Sequence, residues 1–353
     1  MKGVDSWQIA LESYELGSVR DFRKFGSGHI HQTFLLQTDE QDYILQEFND
    51  AVFRFPERIA NNLRIISSHG GTDQLPYMLP LPIPNKDGEL FTSWEGRLYR
   101  IFQFVDGQTR DALQEEHPCK LAASAFAQFV KAHLEVDASQ MQETIPGFHD
   151  LALRFEQFEE SLETTKLKMN SELHDMINFY QEQRVLLREF QAYVEKLPIR
   201  VTHNDTKINN LIFNKGMNAV NAVIDLDTIM GGYVFYDFGD LVRTVACTED
   251  EGCIEWDKID VDLPKYKALV DGYYAPLKEY LEKEELASLS FGGEMMTLIM
   301  GLRFLTDYLN GNIYYQIHYQ DQNFHRSRNQ QMLLKALIGN RTRIKEFIAE
   351  WIS

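Results

Sequence analysis

A chain of 353 residues can bury a substantial core as two compact units or one bilobal domain. Hydrophobic residues at 44% and charged residues at 25% are ordinary for a globular protein. The net charge of −18 argues against a nucleic-acid partner, whose phosphates attract Lys and Arg. Cys119, Cys247 and Cys253 lack CxxC spacing, so neither a disulfide framework nor a structural zinc site is indicated. Asp5, Glu12 and Glu15 occupy the stretch where a signal peptide needs apolar residues, and no run approaches the ~18–20 apolar residues of a membrane span. The expectation is a cytoplasmic protein with no membrane partner, monomeric or weakly dimeric.

Residues 22–47, FRKFGSGHIHQTFLLQTDEQDYILQE, alternate as three strands separated by Gly26-Ser27-Gly28 and by the polar cluster Asp39 to Asp42. His29 and His31 read as strand-face residues rather than metal ligands. Pro56 opens a single helix with Ile59, Leu63 and Ile66 at helical spacing, ending at a glycine pair. Residues 77–107 give up to three more strands, turning at Asn85 to Gly88 and at Glu95-Gly96. The first hundred residues therefore predict a five-stranded sheet with one helix.

Beyond Gly107 the texture turns helical. Residues 117–136 carry helical apolar spacing, residues 161–197 read as one long charged helical stretch, and residues 264–352 are again mostly helical. One strand-like island, 199–225, interrupts them. A small β-rich lobe over 1–105 and a larger, mainly helical lobe over 106–353 follow: an α+β, bilobal layout.

The island carries the chemistry. A strand (IRV), the loop THNDTKINN, a strand (LIF), a turn and a strand ending in IDLD form a hairpin that returns Asp225 and Asp227 beside the loop bearing His203, Asp205 and Asn210. Phosphoryl transfer needs a carboxylate near the attacking hydroxyl and oxygen ligands for magnesium. Asp205 can be the carboxylate, Asn210 and Asp225 hard-oxygen metal ligands, with Asp227 able to complete the metal site or cap the next turn. Lys207 can offset charge on the transferring group. Asp205, Lys207 and His203 are the candidate catalytic residues, His203 being read as a brace of the loop.

His203-x-Asp205-x-Lys207-x-x-Asn210 matches the catalytic-loop pattern of kinases, and Asp225 stands where their metal-binding aspartate is expected. With VIDLDT in place of DFG and the later YDFGDLVR, the chain resembles the aminoglycoside phosphotransferase and choline kinase-like branch. HNDTKINN, VIDLDT, YDFGD and LRFLTDYLNGNIYYQ together resemble N-acetylhexosamine 1-kinases, from about Phe22 to about Arg343. The resemblance implies a bilobal kinase-like fold, ATP and Mg2+ as cofactors, and transfer to the anomeric hydroxyl of an N-acetylhexosamine. Nucleotide and a small-molecule sugar are then the partners, with the nucleotide in the small lobe. Gly26, Ser27 and Gly28 are expected to cover the phosphates, and Gln103 and Val105 to meet the adenine.

The third strand carries Gln46 where kinases place a lysine. Gln46 can hydrogen-bond phosphate but brings no charge, which leaves neutralisation to magnesium, Lys207, Arg54 or Arg58. Asp237 is expected to accept bonds from loop backbone, and Arg243 to pair with a carboxylate. The polar trio Arg303, Asp307 and Tyr308, in an otherwise apolar helix, joins Asp205 as the candidate acceptor site; an internal Arg303–Asp307 ion pair is the alternative. Another acceptor (a different sugar, choline, homoserine or an aminoglycoside) and a nucleotide-binding pseudokinase remain alternatives.

Overall fold

The computed structural model describes residues 11–26 and 31–352. Ser27, Gly28 and His29 lie outside the described residues.

Five antiparallel strands build the small lobe: β1 (Val19–Lys24), β2 (Gln32–Thr38), β3 (Asp42–Phe48), β4 (Thr92–Trp94) and β5 (Arg97–Gln103), in the order β1-β2-β3-β5-β4. Alternation along each strand sorts the side chains onto two faces. Leu36, Tyr43, Leu45, Tyr99 and Ile101 pack with Tyr14 and Leu16 on one face. Thr33, Gln46 and Arg100, aligned across β2, β3 and β5, come off the other. Helix α1 (Pro56–Ser68) begins on its proline and buries Ile59, Leu63 and Ile66.

The stretch after α1 supplies two of the up to three strands its pattern allowed, completing the five expected. Pro80, Pro82 and Pro84 have no N–H to donate, so residues 77–84 cannot form a regular strand. Met78 instead bonds across to the large lobe, donating to Asn221 O (2.8 Å) and accepting from Val223 N (3.1 Å).

The large lobe is helical: α2 (Glu116–Ala132), α3 (Leu151–Thr164), α4 (Ser171–Glu182), α5 (Leu186–Val194), α6 (Val234–Val245), α7 (Leu263–Leu277), α8 (Lys283–Leu309), α9 (Gln322–Gly339) and α10 (Arg341–Ile352). The long charged stretch expected over 161–197 is divided, because Asn170 caps a new helix by accepting from Leu173 N (2.8 Å). The strand island holds β6 (Arg200–Thr202), β7 (Leu211–Phe213) and β8 (Val220–Val223), and β9 (Met230–Gly232) follows beyond its end. β9, which pairs with β6, has no strand signature in Met-Gly-Gly and is unexpected from the sequence, as are most of α3 and all of α6. Among the described residues no helix is long and apolar enough to cross a membrane.

Helix α8 is the centre of the lobe. Glu282 and Glu285 form a capping box at its start. Glu285, buried, also takes both Nε and Nη2 of Arg200 at 2.9 Å, tying β6 to the helix. α6 crosses α8 at backbone contact: a Cβ on Gly239 would lie 2.2 Å from Gly292 O. A Gly239→Ala variant must separate the helices and should lose roughly 1–3 kcal/mol by overpacking. Because α6 carries Asp237 beneath the loop 203–210, kcat should fall as well. Thermal unfolding with a matched activity assay checks this; an unchanged melting temperature would refute the close crossing.

Candidate active site

The chain leaves β6 at Thr202 and turns sharply at Asn204, whose φ of 64° lies in the left-handed region asparagine tolerates. Asn204 Nδ2 donates to the carbonyls of Thr202 and Thr228, both at 3.1 Å. Asp237, in the first turn of α6, accepts the N–H of His203 (3.0 Å) and of Asn204 (2.7 Å). His203 is fully buried. Its Nδ1 accepts from Asp205 N (3.3 Å), so the proton sits on Nε2, which donates to Ile224 O (3.0 Å). Both ring nitrogens are thus engaged with backbone, and His203 pins the loop to the hairpin arm rather than carrying a proton.

Asp205 is half-buried beyond this brace. Its Oδ1 lies 2.7 Å from Lys207 Nζ, and its Oδ2 accepts from Asn210 Nδ2 at 3.2 Å. Burial would raise the Asp205 carboxyl, but Lys207 and Asn210 outweigh it and hold it below the usual carboxylate range. Burial likewise pulls the Lys207 ammonium down, and Asp205 and Asp240 more than reverse it. The result is an ionised carboxylate beside a firmly charged cation.

Asn210 Nδ2 also donates to Asp205 O (2.8 Å), and Asn210 O accepts from Ile224 N (2.9 Å), so Asn210 sits against the residue preceding Asp225. Asp225, at φ 61°, accepts no hydrogen bond and forms no ion pair among the described residues. Burial, then Asp227 and Asp205, push its carboxyl up to about 6. A carboxylate with no ion pair among the described residues, in an acidic neighbourhood that His31 and Arg100 only partly offset, is suited to a cation. No cluster of three His, Cys, Asp or Glu side chains forms a metal cage among the described residues. Asn210 and Asp225 alone still fit magnesium, which takes few protein oxygens and completes its shell with water and phosphate.

Asp227, two residues beyond Asp225, has cationic and hydrogen-bonding partners of its own. Arg100 Nη1 donates to its Oδ1 (2.5 Å), and Arg100 Nη2 (2.7 Å) and His31 Nε2 (2.9 Å) to its Oδ2. Burial would raise this carboxyl; Arg100 and His31 hold it far below the ordinary range. With both oxygens engaged, Asp227 joins the hairpin to the small lobe. Arg100 and His31 were not legible as site residues, since they reach Asp227 only through the β3–β5 register and the turn before β2. Of the arginines expected near the phosphates, Arg58 instead donates to Glu143 O (2.9 Å), and Arg54 is exposed.

Of the residues expected to meet the nucleotide, Gly26 lies two residues beyond β1 with φ 75°. Gln103 closes β5, and Val105 just beyond it makes no backbone hydrogen bond among the described residues. On the acceptor side the helical trio separates. Asp307 does not pair with Arg303; it accepts the N–H groups of Ile313 (2.9 Å), Tyr314 (2.8 Å) and Tyr315 (3.0 Å), and Asn323 Nδ2 (2.8 Å). Tyr308 donates to Asp321 (3.1 Å). Arg303 forms no ion pair among the described residues and lies 5.3–5.6 Å from the rings of Phe148, Tyr314 and Tyr315. Next to Phe148, His149 donates from Nε2 to Asn204 O (2.9 Å) and senses the charges of both Arg303 and Asp205.

The small antiparallel lobe over a loop of this make-up defines a kinase-like phosphotransferase. The sequence matches the phosphotransferase enzyme family over residues 21–266, and the chain belongs to that family. A homoserine kinase of Agrobacterium fabrum is 24% identical over 300 residues, 82% of either chain. One from Cupriavidus pinatubonensis is 25% identical over 290 residues, covering 77% of this chain and 76% of the relative. A microcompartment-associated aminopropanol kinase superposes with a TM-score of 0.67 at 16% identity, over 96% of this chain and 98% of its own. A spectinomycin phosphotransferase bound to ADP and spectinomycin superposes with a TM-score of 0.57 at 10% identity, over 97% and 100%. These structural likenesses establish the shared fold.

His149 generates a pH prediction. Burial pulls its pKa from 6.5 down to about 3. The folded chain therefore refuses a proton that the unfolded chain takes up below about pH 6.5. Stability from the neutral ring is complete above that pH and drains away as pH falls toward 3. At pH 5 the loss should be about 2 kcal/mol. Urea unfolding of wild type and His149→Gln at pH 7.5, 6 and 5 checks it; parallel pH dependences would exclude His149 as the source.

Proposed function

We propose that this family member is an ATP- and magnesium-dependent kinase acting on a sugar hydroxyl, with the anomeric hydroxyl of an N-acetylhexosamine as acceptor. The observation that carries the kinase reading is the ionised Asp205 held between Lys207 and Asn210, with the uncompensated Asp225 alongside. Residues 1–105 would hold the nucleotide, with Val105 offering its free backbone to the adenine, and the acceptor would lie against residues 106–353. Asn210 and Asp225 would hold magnesium, which would supply positive charge against the phosphates.

In this reading Asp205 orients the acceptor hydroxyl and takes its proton. The hydroxyl oxygen bonds the γ-phosphorus, the bond to the β–γ bridging oxygen breaks, and ADP leaves with that electron pair. Lys207 keeps Asp205 ionised and balances charge on the transferred group. The low basicity of Asp205 suits a loose transition state, in which orientation of the hydroxyl counts for more than early deprotonation.

Support for a sugar acceptor comes from the surface beside the loop. Phe148, Tyr314 and Tyr315 give aromatic faces for a pyranose ring, and Arg303 gives donors for its oxygens. The unpaired charge of Arg303 also favours a second reading, an amino-acid alcohol such as homoserine, whose carboxylate a guanidinium binds in bidentate fashion.

ADP release on a panel of N-acetylglucosamine, N-acetylgalactosamine, homoserine, choline and an aminoglycoside separates these readings. Turnover with homoserine and silence with both hexosamines would sink the sugar assignment. Asp205→Asn should lower kcat by roughly 10²–10⁴ with the melting temperature kept near wild type. Near-normal turnover by that variant would take Asp205 out of the chemistry.

A further inference from the structure

Kinases of this architecture bring a positive charge to the nucleotide from a lysine on the third strand, paired with a glutamate. Here that position is Gln46, and the charge stands one strand away. Gln46 and Arg100 face each other in the β3–β5 register. Tyr43 and Leu45 on β3, and Tyr99 and Ile101 on β5, fill the opposite face, so alternation turns Gln46 and Arg100 together toward the cleft.

Arg100 is 2% exposed and Asp227 1%. Its guanidinium makes two sets of bonds at once. Nε (3.0 Å) and Nη2 (2.9 Å) donate to Gln46 Oε1. Nη1 (2.5 Å) and Nη2 (2.7 Å) donate to the two oxygens of Asp227. With its oxygen fixed on Arg100, the Gln46 amide must turn its NH2 the other way. Among the described residues it there meets only Thr33 Oγ1 at 3.4 Å, a weak contact that leaves donor capacity free. His31 closes the network: its Nδ1 accepts from Asn49 N (3.0 Å), so its Nε2 donates to Asp227 (2.9 Å).

We propose that Arg100 is a positioning residue that replaces the missing lysine: it aims the Gln46 amide at the nucleotide phosphates and anchors Asp227, so that Asp225 faces the magnesium site. The inference rests on the nucleotide-kinase reading above and not on the identity of the acceptor. The planar fork of an arginine can serve Gln46 and both oxygens of Asp227 together; the point charge of a lysine cannot. Arg100 also fixes the chain two residues after Asp225, whose left-handed backbone would otherwise relax. Asp227 balances the Arg100 charge, so the row presents a polarised neutral donor rather than a free cation.

The consequence is that restoring lysine on β3 should harm the enzyme. Gln46→Lys sets an ammonium against the Arg100 guanidinium with one carboxylate between them. Binding of magnesium–ADP, measured by calorimetry without any acceptor, should weaken by at least about tenfold. Arg100→Met leaves Asp227 buried and uncompensated and should weaken binding at least as much. The double variant leaves one cation beside one carboxylate and should bind better than either single variant. In turnover, KM for ATP should rise in both single variants while KM for the acceptor holds.

Gln46→Lys binding magnesium–ADP as well as wild type, or losses that simply add in the double variant, would overturn the proposal. If Arg100→Met does not fold, the Gln46→Lys result decides alone. A wild-type chain that fails to bind magnesium–ADP would overturn the nucleotide reading and this inference with it. Wild-type binding with additive losses overturns the inference alone.

Discussion

The site hangs on one buried carboxylate. Asp237 is sealed from water in the first turn of α6, and a group of that kind must find donors inside the protein. It finds the N–H groups of His203 and Asn204, two consecutive residues at the entry to the catalytic loop. Satisfying the carboxylate therefore fixes the loop backbone. α6 in turn is fixed by its contact with α8, where Gly239 and Gly292 let the two backbones meet. A helix crossing at the centre of the large lobe thus sets where Asp205 stands.

Three aspartates within the site show how neighbours assign roles to one side chain. Asp205 has a lysine and stays ionised; Asp227 bonds an arginine and a histidine and is fully engaged. Asp225 bonds no cation among the described residues, and burial with Asp227 and Asp205 outweighs the pull of His31 and Arg100 and pushes it up to about 6. The differences arise from partners more than from depth, since burial acts on all three in the same direction. Only the carboxylate with nothing bound to it is left to face an incoming cation.

Features written in local spacing could be read before the fold was known. The five-strand count, the helix starting at Pro56 and the gathering of Asp205, Asn210 and Asp225 rest on period and short turns. Contacts set by pairing between distant segments could not be read. Arg100 meets Gln46 through a register across 54 positions, and His31 meets Asp227 across 196. Asp307 looked available because it sits in an apolar helix, yet its partners are N–H groups of the loop that follows. Residues 77–84, where the pattern allowed a further strand, are kept out of the sheet by three prolines, whose effect on a ladder is itself a sequence rule. Acceptor identity is a harder matter, because aromatic faces and one guanidinium suit both a sugar ring and an amino-acid alcohol.

The short bonds of Met78 and Gln108 have a mechanical meaning. Met78 lies along β8, and Gln108 exchanges two bonds of 2.9 Å with Phe213 on β7, so both edges of the hairpin are bound to the chain entering and leaving the small lobe. Gly107 makes the second junction possible, since a Cβ there would lie 2.4 Å from Phe213 O. The hairpin that carries Asp225 is therefore held at both edges by irregular chain segments that join it to the small lobe. A displacement of either segment is therefore passed directly to the hairpin, and with it to the residue its end presents.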